Sequence, residues 1–213
     1  MRFEFPRIYP ILDSAFIPPE DREKFLRELG ASLAAAGVTL LEYRNKTNSD
    51  AEVLADAAIL RAAMPPTNIK LILDDRVHLV ETAGFDGVHV DGGDLTPVEA
   101  RSILGPDRIV GTFGGSKSLL PNILNEPADY LSIGPVDRTT TKQTTKPPIG
   151  SEGVRLLRQQ AGPHSVLVAV GGVTLQTAPS ILAAGATTVA VAAAIFRAAD
   201  PAAEFWRWKT ALG

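Results

Sequence analysis

Eight short apolar runs recur along the chain at nearly even spacing: residues 7–12 (RIYPIL), 39–44 (TLLEYR), 69–73 (IKLIL), 86–90 (DGVHV), 108–112 (RIVGT), 129–133 (DYLSI), 165–170 (SVLVAV) and 187–191 (TTVAV). Short and rich in β-branched residues, they are predicted as strands, and several are apolar on both faces, as strands of a buried parallel sheet are. The segments between them carry apolar residues at helical spacing, as in 18–37, 49–64, 96–104 and 174–185, and many open on Ser, Thr or Asp and close on Gly. The last segment, DPAAEFWRWKTALG (200–213), supplies an eighth helix whose Trp206 and Trp208 are expected in packing or subunit contacts. Helix is expected after every strand. Eight such units at about 27 residues each predict one (β/α)8 TIM barrel domain over residues 1–213. An open doubly wound sheet is the competing arrangement, disfavoured by the strand count and by the lack of an early G-x-G-x-x-G turn.

Composition narrows the function classes. Net charge is −3 with both signs mixed along the chain, which offers no broad basic face to nucleic acid or anionic lipid. The chain has no cysteine, so disulfides, thiolate catalysis and Cys-based zinc sites are excluded. No apolar run approaches a membrane-spanning length, and the start MRFEFPRIYPILDSAF lacks the apolar core of a leader peptide. The expectation is a soluble, cytoplasmic protein with small-molecule partners, no nucleic-acid or membrane partner, and a homo-oligomeric state left open.

In a barrel of this kind the active site lies at the carboxyl ends of the strands. The second strand ends LEYRNK, where Glu42, Arg44 and Lys46 are two apart and share a face; the basic pair suits a pyrophosphate, although a charged strand end in solvent gives the same letters. The third strand ends in Asp74 and Asp75, and Asp91 and Asp94 follow the fourth. Carboxylates from adjacent strand ends can converge on Mg²⁺, while Asp75 and Asp94 could equally cap helices. Gly171 and Gly172 follow strand seven, where a glycine-rich turn often binds phosphate. His89 reads as a hydrogen-bonded interior residue, and Lys70 stands at the wrong strand end for chemistry.

Taken in order, YPILD, LEYRNK, LILDDRVHLV, FDGVHVDGGDL, ADYLSIGPVDRTTTK and VAVGGV resemble the thiamine phosphate synthase family over nearly the whole chain. The resemblance implies a (β/α)8 transferase that joins hydroxymethylpyrimidine pyrophosphate to a thiazole phosphate, with Mg²⁺ as cofactor, through a dissociative step in which pyrophosphate leaves before the thiazole nitrogen captures the pyrimidine carbocation. It further implies that Arg44, Lys46 and Lys142 bind the pyrophosphate and that Asp75 and Asp94 hold the metal. Substrate contacts would come from Glu42, Asp74, Thr139 and Thr141, and from the phosphate cradle of Gly171, Gly172, Ala192 and Ala193.

The chain departs from the family pattern at several of these positions. Glu42 stands where Gln is usual and Asp74 where Asn is usual; Phe113 and Ala193 replace expected serines, and VDGG replaces a Gly-Gln-Glu segment after His89. Glu42 would repel a pyrophosphate unless it pairs with Arg44 or Lys46, or accepts from the aminopyrimidine. The alternatives are a thiazole tautomerase-like enzyme and a non-catalytic binder of thiamine precursors. The stretch GPVDRTTTKQTTKPPIG (134–150) is too long for an ordinary strand-to-helix connection and reads as a lid. Thr139, Thr141 and Lys142 would close on phosphates, and Lys146, Pro147 and Pro148 would form its stiff far side.

Overall fold

The computed structural model describes residues 3–93, 95–139 and 146–213. All eight apolar runs are strands: β1 Ile8–Asp13, β2 Leu40–Arg44, β3 Lys70–Asp74, β4 Gly87–Val90, β5 Ile109–Gly115, β6 Tyr130–Ile133, β7 Leu167–Val170 and β8 Thr188–Val191. Each pairs in parallel with the next, and β8 pairs with β1 to close the barrel. The helices are α1 Arg22–Ala35, α2 Asp50–Ala63, α3 Pro97–Leu104, α4 Gly150–Ala161, α5 Ala178–Ala183, α6 Ala193–Phe196 and α7 Pro201–Leu212.

Local chemistry explains most helix starts. Ser49 with Glu52 and Thr96 with Glu99 form reciprocal capping boxes on α2 and α3, which satisfy backbone N–H groups that have no partner within the helix. Asp200 accepts from Ala203 at the start of α7. The expectation of a helix after every strand is corrected at two places. Between β3 and β4 the chain makes only a 3-10 turn, Val77–Leu79, entered through left-handed Asp75 and Arg76. Between β5 and β6 it makes another, Ile123–Asn125, where Pro121 and Pro127 interrupt any longer helix.

Side-chain alternation along the strands builds two separate cores. One set, including Leu12, Leu41, Tyr43, Leu73, Val88 and Val110, points outward onto the helices with Leu26, Leu33 and Leu60. The other set, Tyr9, Leu40, Ile72, Ile109, Tyr130, Val168 and Ala190, fills the barrel interior. Phe3 and Phe5 of the leading segment pack against this inner layer, with Phe5 edge-on to Tyr130 at 5.4 Å between ring centroids. Lys70 lies at the amino end of β3 and pairs with Asp86 at 2.9 Å, so it plays no part at the carboxyl rim. Trp208 is buried and Trp206 exposed, consistent with a packing role for the former.

Tyr130 depends on a glycine. Gly111 is its register partner on β5, and a Cβ built on Gly111 would lie 1.9 Å from the Tyr130 ring. The missing side chain lets the tyrosine lie across the barrel. Gly111→Ala is therefore expected to lose about 2 kcal/mol or more through overpacking, read as a lower urea midpoint. At Gly92 a Cβ meets nothing within 4 Å, and Gly92→Ala should stay within about 0.5 kcal/mol of the parent. Equal midpoints for Gly111→Ala and the parent would contradict this packing.

Candidate active site

At the carboxyl ends of the strands the barrel opens into a cavity of about 440 Å³. Its wall takes the inward-facing positions of successive strands: Tyr9 and Ile11 from β1, Glu42 and Arg44 from β2, Asp74 from β3, His89 from β4, and Phe113 from β5. These positions are two apart within each strand because only alternate side chains face the axis.

The floor is polar but uncharged. Tyr9 and Tyr130 share a hydrogen bond between hydroxyls at 3.1 Å, and the Tyr130 hydroxyl lies 3.0 Å from His89 Nδ1. The His89 ring stacks on Tyr130, so this residue is an interior hydrogen-bonded group, as expected from the sequence. Glu42 is 4% exposed and lies beside Tyr9. Burial, reinforced by the charge of Asp74, pushes the Glu42 carboxyl up to about 8 against the opposing pull of Tyr9, Arg44 and Lys46. Burial also lifts both tyrosines well above their ordinary range. The shift favours the protonated form of Glu42 at neutral pH, in which it carries no charge to repel an anion.

Above the floor, charges alternate around the rim. Arg44 donates through Nη1 to Asp13 and meets Asp74 Oδ2 with Nε at 3.5 Å. Asp74 also takes the Lys46 ammonium at 3.0 Å, and Lys46 in turn contacts Asp75. Burial lowers the Arg44 and Lys46 values, but the carboxylates Asp74, Asp13 and Asp75 outweigh it and keep both groups charged. Arg44 faces the cavity from the strand, whereas Lys46 stands just beyond the end of β2.

Asp75 does not cap a helix: the turn that follows it starts from Arg76, which makes no side-chain cap, and α3 is capped by Thr96. Asp75 adopts a left-handed backbone and donates its N–H to the His89 carbonyl at 2.8 Å, tying the end of β3 to β4. Asp94 lies outside the described residues. Among the described residues no group of three or more His, Asp or Glu gathers as a metal site. The oxygen donors at this rim are carboxylates, the class a hard dication such as Mg²⁺ would take.

The opposite wall is built by the segment that follows β6. Val136 donates to the Val170 carbonyl and Asp137 to the Gly171 carbonyl, so the chain zips onto the end of β7. Ile149 and Gly150 donate back to Pro135 and Val136, which pinches the connection at its base. Gly171 and Gly172 have φ of 91° and 70°, and a Cβ on Gly172 would lie 2.4 Å from the Arg138 carbonyl oxygen. Their glycine identity thus has a packing cause. Thr139, Gly171, Gly172, Ala192 and Ala193 all line the cavity, the alanines at the head of α6. Thr141 and Lys142 lie outside the described residues.

Several residues in or beside the pocket were not assigned to it from the sequence. Lys146, read there as the far side of a lid, lines the cavity with its ammonium 3.9 Å from the Phe113 ring centroid. Arg138 joins the same wall. Tyr9, Tyr130 and Asp13 share the inward parity of their strands, a signal that becomes visible only once the stagger between strands is known.

The thiamine monophosphate synthase family matches this chain over residues 8–195. A thiamine-phosphate synthase of Koribacter versatilis is 40% identical over 190 residues, covering 89% of each chain. One from Agrobacterium fabrum is 36% identical over 190 residues, covering 88% of this chain and 86% of that protein. The solved thiamine phosphate pyrophosphorylase from Pyrococcus furiosus superposes with a TM-score of 0.76 at 25% identity, covering 97% of this chain and 95% of that one. With its fold and its sequence in agreement, the chain belongs to the thiamine monophosphate synthase family.

Proposed function

We propose that this protein, acting as one barrel domain over residues 1–213, condenses hydroxymethylpyrimidine pyrophosphate with thiazole phosphate to give thiamine phosphate and pyrophosphate. The observation that carries the reading is the pairing of a charged rim, Arg44 and Lys46 among Asp74 and Asp75, with an uncharged polar floor. A dissociative reaction needs stabilisation of the departing anion more than it needs a protein nucleophile. Arg44 and Lys46 meet the pyrophosphate, and Lys142 joins them from the connection after β6. Asp75 and Asp94 would hold Mg²⁺, which supplies further neutralisation of the leaving group. The same set of cations favours a bond-forming enzyme over a passive binder.

The floor receives the pyrimidine ring, with Glu42 and Asp74 as its polar contacts. Glu42 in its protonated form both donates and accepts, as the glutamine usual in the family does. Thr139, Thr141 and the backbone around Gly171, Gly172, Ala192 and Ala193 bind the thiazole phosphate. Phe113 replaces a serine, but its ring holds the Lys146 ammonium at the cavity wall, so a cation stands where a hydroxyl was expected.

The reaction mixture tests the reading directly: both substrates with Mg²⁺ should yield thiamine phosphate, and a chelator should abolish the product. Retention of either substrate without product would favour the binder. Lys46→Ala and Lys142→Ala should each slow turnover more than about tenfold, a loss above about 1.4 kcal/mol of transition-state stabilisation. Unchanged kinetics would remove that residue from the mechanism.

Glu42 adds a pH signature. Its folded value of about 8 lies above the ordinary 4.5, so its contribution is intact below about 4.5 and is lost progressively as pH rises from there to about 8. Glu42→Gln keeps the shape and cannot ionise. It should raise Tm by at least about 3 °C at pH 8.5 and change it by less than about 1 °C at pH 4. The same shift at both pH values would show that the parent carboxyl does not titrate in this range.

A further inference from the structure

Asp13 has a role that neither the family resemblance nor the sequence patterning assigns. We infer that Asp13 is a positioning residue that fixes the plane in which the Arg44 guanidinium meets pyrophosphate; the inference rests on the proposed role of Arg44. Asp13 and Arg44 are register partners across the β1–β2 pair, so their side chains rise from the same level of the barrel on the same face. Both carboxylate oxygens of Asp13 are engaged. Oδ1 accepts from the Ala15 N–H at 2.9 Å, the cap of the turn Ser14–Phe16, and Oδ2 accepts from Arg44 Nη1. The backbone bond locks the carboxylate, and the carboxylate then locks the guanidinium.

Position separates this role from that of a substrate ligand. Among the described residues lining the cavity, Arg44 is present and Asp13 is not, which places Asp13 behind the arginine. On its other side Arg44 has Asp74 Oδ2 at 3.5 Å, an oxygen that also holds Lys46 at 3.0 Å. Without Asp13 the guanidinium would be drawn toward this shared carboxylate and away from the geometry its fork needs. Two parallel N–H bonds to a phosphate demand a fixed plane, and a side chain with several rotatable bonds does not hold one unaided.

The decisive variant is Asp13→Asn, which keeps a carbonyl oxygen for the Ala15 N–H but loses the charge facing Arg44. Binding of inorganic pyrophosphate with Mg²⁺, followed by calorimetry, should weaken about tenfold, and KM for the pyrimidine pyrophosphate should rise by a similar factor while KM for the thiazole phosphate stays within about twofold. In an Arg44→Gln background the Asp13→Asn change should add less than about twofold, because the group it positions is gone. Asp13→Ser, which can cap the turn but is too short to reach Arg44, repeats the test if the asparagine variant does not fold. Unchanged pyrophosphate affinity in Asp13→Asn, equal rises in both KM values, or a full effect in the Arg44→Gln background would overturn the inference. Failure of the parent to make thiamine phosphate while it still binds pyrophosphate would count against the catalytic reading alone. A parent that binds no pyrophosphate would overturn both.

Discussion

Closure of eight parallel strands into a barrel is the constraint on which the rest of this molecule depends. Once β8 pairs with β1, every strand must send alternate side chains to the axis, and the lateral register decides which of them meet at one level. At the level of Glu42, β2 faces Ile11 on one side and Ile72 on the other; one step higher, Arg44 stands beside Asp13. A shift of register by one residue would turn this whole set outward onto the helices. The charged rim is thus a consequence of strand pairing, and the wide spacing of its members in the sequence is no obstacle to their meeting.

The rim also shows how buried charge is tolerated. Asp74 is 5% exposed and Asp13 is 7% exposed, a placement that costs several kcal/mol for an unpaired ion. Each carboxylate is met by a cation, and each cation touches more than one carboxylate. Alternation keeps the cations charged although burial works against them. Groups held in this way are already oriented before an anion arrives, so little reorganisation is required when it does.

Much of this was legible in the sequence, and the reasons for the gaps are physical. All eight strands could be read because buried parallel strands carry β-branched runs, and the barrel followed from their number. The turns after β3 and β5 were missed because a short connection can hold a few apolar residues at helical spacing without forming a helix, as Val77, Leu79 and Val80 do. At the site, Arg44 and Asp74 could be picked out because charge at a strand end is conspicuous. Nothing in the sequence patterning singles out Asp13, Tyr9 or Tyr130; their significance depends on contacts 31 and 121 residues distant in sequence. Lys146 was misplaced because nothing local to TTKPPIG indicates that Phe113, on another strand, will receive its ammonium.

Glu42 illustrates why composition alone misjudges a site. Counted as a charge, it opposes any anionic ligand and argues against the family's chemistry. Placed against Tyr9 on the floor, it is taken out of water, and a neighbouring carboxylate makes ionisation less favourable still. Asp74, one inward step higher on the next strand, has Arg44 and Lys46 within reach. Two carboxyl groups in one cavity are thereby given different duties by their surroundings, one neutral and hydrogen-bonding, the other an anchor for cations. That division lets the barrel hold a neutral ring at depth while its mouth manages negative charge, and it explains how a substitution that adds an acidic residue can leave the electrostatics of the mouth intact.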